Sequence, residues 1–441
     1  MHNGTEQPGR RVAVVGGGVT GLSAALALSD THRVTLFEAA PRLGGHARTV
    51  LAGRRGDQPV DMGFIVYNRI NYPNLVALFE RLDVPVIESD MSFAASIGRP
   101  GGRRVEYSTQ TVGTMFAQRS NLLSPRFLRM VRDVLRFNAR AVEAADDPGL
   151  TLAQFLDRLG LGATFRDWYL GPISGAIWST PRTDVLDFPA QSMIRFFENH
   201  NLLSHTGQHQ WYTVAGGSVE YVRRLETALR RAGVSIRVGA PVAALRTDGG
   251  RVGLRAAGDE WDSFDDVVLA THSDISHAFA GAADPDAAPL LADIRYQPNR
   301  AVLHRDDALM PRRRACWASW NYVEESGGPE RLGLTYWMNR LQSIPADDPL
   351  FVTLNPQQDP HEAAIYDETT FRHPVFDLAM MRARTALQAR NGRARVWYCG
   401  AWTANGFHED GCASGLAVAR AICARDAVAP AAPPKVAIAA A

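Results

Sequence analysis

The stretch Arg11 to Ser29, RVAVVGGGVTGLSAALALS, constrains this chain more than any other. The short run RVAVV reads as a buried parallel strand. Gly16, Gly18 and Gly21 then give G-x-G-x-x-G and open the helix-like LSAALALS. A second strand, HRVTLFE, ends on Glu38, at the spacing expected of an acid that hydrogen-bonds a ribose hydroxyl. The first glycine makes the tight turn, the next lets the backbone approach a pyrophosphate, and the third lets helix and strand pack closely. The helix N-terminus would then face the phosphates. The expected fold class is α/β, with a Rossmann-like domain that binds a dinucleotide.

At 441 residues the chain is long enough for two domains. A formal net charge of +1 supplies no field for gripping nucleic acid, so a polyanion partner is not expected. Cys316, Cys399, Cys412 and Cys423 form neither a C-x-x-C pair nor a metal-ligand spacing, which suits a reduced, cytoplasmic setting. Arg10 and Arg11 before an apolar run also fit a secretory or twin-arginine leader. The glycine spacing and the second strand favour the nucleotide-binding reading.

After Glu38 comes AAPRLGGHART, with Gly44 and Gly45 between Arg42 and Arg48. A second glycine pair beside arginines suits a backbone passing close to the further anionic part of an extended ligand such as FAD. Here the chain resembles the flavin-containing amine oxidase superfamily, whose R-x-G-G-R element follows the same strand; His46 stands where many members carry arginine. VDMGFIVYN, SGAIWSTP, RFFENHNLL, QWYTVAGGSVEYV, YWMNRLQ, VTLNP and GFHEDG extend the likeness over residues 10 to 425, toward a bacterial branch described as predicted NAD/FAD-binding, amine oxidase-like proteins. The resemblance implies FAD as cofactor. It also implies contacts from Arg42, Gly44, Gly45, His46, Gly63 and Phe64, and an adenine-holding backbone at Val242.

In that superfamily a late strand ending in glycine runs into a helix aimed at the pyrimidine end of the flavin. RVWYCG, ending at Gly400, reads as that strand, and DGCASGLAVARAIC as that helix. The backbone of Asp410, Gly411 and Cys412 is expected at the flavin, where the helix dipole would stabilise negative charge developing on reduction. Glu409 and Asp410 read as caps of the same helix. The flavin domain is expected from residues 10–70, 205–275 and 390–425. An interleaved α+β substrate domain would take 71–204 and 276–389, with a disordered tail at 426–441.

Typical amine oxidases hold a water against the flavin with a buried lysine, whereas the one lysine here, Lys435, lies in the tail. In SPRFLRMVRDVLRFNARAVEAA, Arg126, Arg129, Arg132, Arg136 and Arg140 fall at helical spacing. Such a helix either touches an anionic membrane peripherally, steers an acidic substrate, or is an ordinary solvated face. His200, His205 and His209 lie close in sequence, but no carboxylate joins them, so no metal site is expected. The catalytic candidates are His408, Glu409, Asn199, His200 and Tyr336. Three functions are carried forward. The first, favoured through likeness to fatty-acyl-modifying flavoproteins, is an FAD-dependent oxidoreductase that desaturates or isomerises an apolar, lipid-like substrate. The second is an amine oxidase, and the third a non-catalytic flavoprotein partner of a lipid-modifying enzyme.

Overall fold

In the computed structural model, which describes residues 9–181, 184–204, 207–327 and 333–428, the glycine-rich stretch forms a strand, a turn and a helix. Strand β1 (Arg11–Val15) runs into α1 (Val19–Leu28), and β2 (Arg33–Phe37) returns parallel to β1, pairing Val12 with Val34 and Val14 with Leu36. Three further parallel strands come from far along the chain: β3 (Ser235–Arg237), β4 (Asp266–Leu269) and β5 (Val396–Tyr398). Their order is β3-β2-β1-β4-β5, the arrangement of a doubly wound nucleotide-binding half. Val12, Ala13 and Val14 are fully buried, as a strand covered on both faces requires. Ligands of such sheets lie beyond the carboxyl ends of the strands.

The second large sheet has seven strands, in the order Ile365–Pro374, Tyr296–His304, Phe351–Leu354, Leu334–Trp337, Trp320–Glu324, Phe93–Gly98 and Arg104–Ser108. All its pairs are antiparallel except Phe93–Gly98 with Trp320–Glu324. Beside it lie helices whose aromatic side chains interlock. With α2 taken as Pro73–Arg81, α3 (Pro125–Ala144) sets Phe127 edge-on to Tyr107, and its Phe137 meets Phe197 of α4 (Ala190–Asn199). Helix α5 (Val219–Arg231) buries Tyr221, Val222, Leu225 and Leu229, one apolar stripe at helical spacing.

The last helix, α6 (His408–Val428), begins before Asp410 and continues past residue 425. Residues 426–428 therefore belong to a helix rather than to a disordered tail, and 429–441 lie outside the described residues. Asp426 explains the extension: its carboxylate meets His32 at 3.0 Å, Arg10 at 3.1 Å and Arg425 at 2.8 Å. Two glycines one turn apart press α6 onto α1. A Cβ on Gly415 would lie 2.3 Å from the carbonyl oxygen of Thr20, and one on Gly411 would lie 2.8 Å from the Thr20 hydroxyl.

Near the other end of α6, Arg425 donates to both oxygens of the fully buried Asp266, at 2.7 and 2.6 Å, and the Trp397 indole donates to the same carboxylate at 2.8 Å. Removing one partner of such a pair strands a buried charge. Arg425→Ala, which leaves the fully buried Asp266 without its bidentate partner, is expected to lower unfolding stability by about 3–5 kcal/mol, measured as a shift of the urea midpoint. A shift under roughly 1 kcal/mol would show that α6 is not held there.

Candidate active site

The G-x-G-x-x-G turn is locked by close backbone approaches. Gly16 has φ +110°, and a Cβ there would lie 2.7 Å from the Ala270 carbonyl oxygen. A Cβ on Gly21 would lie 1.9 Å from the carbonyl oxygen of Gly16, so the third glycine is fixed by helix–strand packing. Gly18, the residue before α1, differs: its Cβ would meet nothing within 4 Å, leaving open space at the helix N-terminus. Glu38 closes the turn from β2, accepting from the Gly17 amide at 2.6 Å and the Ala40 amide at 2.7 Å.

The second glycine turn sits against the first. The Gly44 amide donates to the Gly17 carbonyl at 2.8 Å, and a Cβ on Gly45 would come within 3.2 Å of the Gly18 Cα. The Arg42 guanidinium donates to the carbonyls of Leu43, Gly45 and Ala47 at 3.1 to 3.2 Å, which holds the turn shut. Gly63 lies under the next residue: its Cβ would be 2.1 Å from the His46 carbonyl oxygen, while the Phe64 amide donates to that carbonyl at 3.1 Å. Val242 begins a strand two residues after Ala240, whose amide donates to the Glu38 carbonyl at 2.9 Å.

Beyond the glycines lies a group of histidines. The His46 ring is 5.5 Å from His272, 5.5 Å from His373 and edge-on to Phe371 at 5.0 Å. His272 stacks on Tyr296 at 4.5 Å, and His408 stacks on Phe64 at 3.8 Å with its Nε2 3.2 Å from the Tyr221 hydroxyl. Burial, and then the neighbouring charges, push His46 down to about 4 and His272, His373 and His408 down to about 3. All four are neutral at physiological pH. The Asn299 amide donates to Nδ1 of His373 at 2.7 Å, so the neutral ring carries its proton on Nε2.

Asp61 is another buried group at this junction. It accepts from the Ser218 amide and hydroxyl, the Thr49 hydroxyl and the Gln342 side chain, at 2.6 to 2.9 Å. Burial nevertheless raises it to about 6.

The two acids at the start of α6 act differently from the expected caps. Glu409 does not cap its own helix: it accepts from the Asn74 amide and side chain at 3.1 and 2.6 Å and from the Leu75 amide at 2.9 Å, at the N-terminus of α2. The physical reason is that the residue before α2 is Tyr72, which offers no side-chain acceptor to the free amides there. Asp410 does close its own loop, accepting from the Asn405 and Phe407 amides at 3.1 and 2.9 Å. Glu409→Ala is expected to cost roughly 1–2 kcal/mol in stability and to free α2 from α6, with raised amide exchange at residues 74 and 75. Unchanged exchange there would contradict this assignment.

The remaining candidates scatter. His200 stacks on Phe196 at 3.9 Å, and its Nδ1 donates to the Phe196 carbonyl at 2.9 Å, beside Phe407 just ahead of α6. Asn199 is exposed, and its carbonyl accepts from Asn71 at 2.9 Å and from His209 at 3.3 Å. Tyr336 is buried edge-on to Trp320 at 5.1 Å in the seven-stranded sheet, with no ring contact to the histidine group among the described residues. His205 lies outside the described residues. Gly400 joins β5 to α6, its amide donating to the Ser414 hydroxyl at 3.0 Å. Cys412 takes a hydrogen bond from Ser23 at 3.4 Å, and burial lifts its thiol to about 11. Sequence reasoning missed His272 and His373. His272 follows β4 at the carboxyl edge of the sheet, where ligands bind, whereas His373 has no local signal.

Residues 19–305 match the family model described as flavin containing amine oxidoreductase, well over half of the chain. The chain belongs to this family. Among curated relatives, the carotenoid phi-ring synthase of Chlorobaculum tepidum is 34% identical over 161 residues, 36% of this chain and 23% of that protein. The coproporphyrinogen III oxidase of Mycobacterium tuberculosis is 38% identical over 95 residues, 21% of this chain and 19% of that protein. The chain thus matches about a fifth of the length of these relatives. Among solved structures, a CLA-producing fatty acid isomerase from P. acnes superposes with TM-score 0.66 at 15% identity, covering 93% of this chain and 98% of the other. Cyclohexylamine oxidase from Brevibacterium oxydans gives 0.65 at 15% identity, covering 95% and 100%.

The family is flavin containing, and the residues of the site fit FAD. Open space at Gly18 lies at the N-terminus of α1, as a pyrophosphate requires. Glu38 stands at the end of β2 beside the turn, as a ribose requires.

Proposed function

We propose that this oxidoreductase acts on an apolar, fatty-acyl-like substrate, desaturating it or shifting a double bond. The observation that carries this reading is the absence, among the described residues of the site, of an uncommitted carboxylate. Asp61 and Asp410 are held by backbone and side-chain donors, and Glu409 by α2. Asp367 pairs with Arg48 at 2.6 Å, and Asp274 with Arg372 at 2.5 Å. A cationic amine entering here would lose water without gaining an anion. The four neutral histidines and the aromatic rings of Phe64, Phe371 and Tyr296 present an uncharged wall instead.

FAD, when bound, supplies a two-electron acceptor for hydride from a C–H bond. The chain's own part is to orient that bond and exclude water. His373, with its proton on Nε2, can donate a hydrogen bond without carrying charge. The names of relatives agree in kind, since one neighbour is a fatty acid isomerase and one relative a carotenoid synthase, although an amine oxidase shares the fold equally well.

Incubation of the flavin-loaded protein with unsaturated and cyclopropane fatty-acyl lipids, and separately with amines, tests the proposal by mass analysis. A lipid product two hydrogens lighter, or an isomer of equal mass, is expected. Ammonia and peroxide from an amine, with lipids unchanged, would overturn it.

A further inference from the structure

Helix α3 has two apolar faces, and only one of them is used by the fold. Phe127, Met130, Val134, Phe137 and Ala141 point into the core. On the opposite side Leu128, Leu135 and Val142 recur every seven residues and are exposed, Leu135 to 52%. At 1.5 Å per residue this outer stripe runs about 20 Å. It continues into the segment before the helix, where Leu123 is 87% exposed and Leu122 is also open.

The same surface is strongly basic. Residues 119–144, to the end of α3, hold six arginines, Arg119, Arg126, Arg129, Arg132, Arg136 and Arg140, and two acids, Asp133 and Glu143, a local charge of +4 against +1 for the whole chain. Arg132 pairs with Asp133 at 2.9 Å, while Arg119, Arg126, Arg129, Arg136 and Arg140 pair with no carboxylate among the described residues. Arginines elsewhere are commonly paired, as Arg224 is with Glu220 and Arg300 with Glu368. Exposed leucines on an ordinary solvated face would be scattered singly. Here they form one stripe with unpaired cations along one side of it, the pattern of a helix lying in a lipid headgroup layer.

We propose that the outer face of α3, with Leu122 and Leu123, docks this protein peripherally on an anionic phospholipid bilayer. The leucines would enter the acyl boundary while the arginines meet phosphate, and their long stems let the guanidinium groups stay at headgroup level. No described helix is long and apolar enough to cross a membrane, so the contact is interfacial. The inference stands on this surface alone and does not depend on the substrate assigned to the flavin site.

Sedimentation of the flavin-loaded protein with vesicles tests it, comparing pure phosphatidylcholine with equimolar phosphatidylcholine and phosphatidylglycerol. Binding to the anionic vesicles is expected, with little to the neutral ones. Arg129→Gln combined with Arg136→Gln should weaken binding by roughly 25-fold, about fivefold per arginine. Leu123→Ser, Leu128→Ser and Leu135→Ser together should weaken it at least about tenfold. All five positions are exposed, so flavin content and thermal midpoint should stay unchanged. If the leucine variant fails to fold, the arginine pair still decides. Absence of binding to both vesicle types would overturn the proposal, and so would concentration-dependent self-association that the leucine variant abolishes, because a second copy would then cover this face.

Discussion

Gly18→Ala is expected to fold normally and to lose FAD, with affinity reduced about 100-fold or more, roughly 3 kcal/mol. The residue has φ −78° and ψ 179°, a conformation open to any L-residue, and the added Cβ meets no protein atom within 4 Å. The methyl group would instead occupy the space at the N-terminus of α1 that a pyrophosphate must enter. Gly21→Ala is the contrasting case. Its Cβ would lie 1.9 Å from the Gly16 carbonyl oxygen, so the turn itself must open, and both stability and FAD should be lost. Thermal midpoint and bound-flavin absorbance separate the two variants. Full flavin content in Gly18→Ala would remove the pyrophosphate from this turn.

The second large effect concerns acid. His46, His272, His373 and His408 titrate near 3 to 4 in the folded protein, against 6.5 ordinarily. Unfolding would therefore take up protons below about pH 6.5, and stability conferred by the neutral rings is lost as pH falls through that window. Asp61 and Asp410 act in the opposite sense. Burial raises both from 3.8 to about 6, so they release protons on unfolding between those values. His304, which burial also pushes down to about 4, joins the four, so five groups against two leave a net uptake of about three protons near pH 5, a loss of roughly 4 kcal/mol per pH unit. Urea midpoints at pH 7 and pH 5 measure it. A midpoint that holds or rises on acidification would mean that these imidazoles are charged or solvated in the folded state.

Backbone-determined features were legible in the sequence because their cause is local. The glycine turn, β1, β2 and Glu38 follow from steric demands that a short stretch states completely. Helix α6 was legible for the same reason, although its start at His408 and its extension to Val428 depended on contacts with distant Asn74 and His32. Glu409 shows the limit most clearly. An acid at a helix start reads as a cap of that helix, yet its carboxylate serves an N-terminus 335 residues earlier in the chain. The histidine group was half legible. His46 and His408 lie in glycine-rich segments, whereas His373 sits on a long antiparallel strand and acquires its surroundings only when the seven-stranded sheet meets the flavin-binding sheet. Asn199 is a catalytic candidate in the sequence, but the helix end turns it to solvent.

Anaerobic mixing of the flavin-loaded protein with fatty-acyl lipids and with amines, followed at the flavin absorbance band, tests the central claim most directly. Bleaching of the band by an acyl lipid, or recovery of an isomerised lipid with the band unchanged, with amines silent in either case, is the predicted result. Rapid bleaching by an amine with every lipid silent would contradict it.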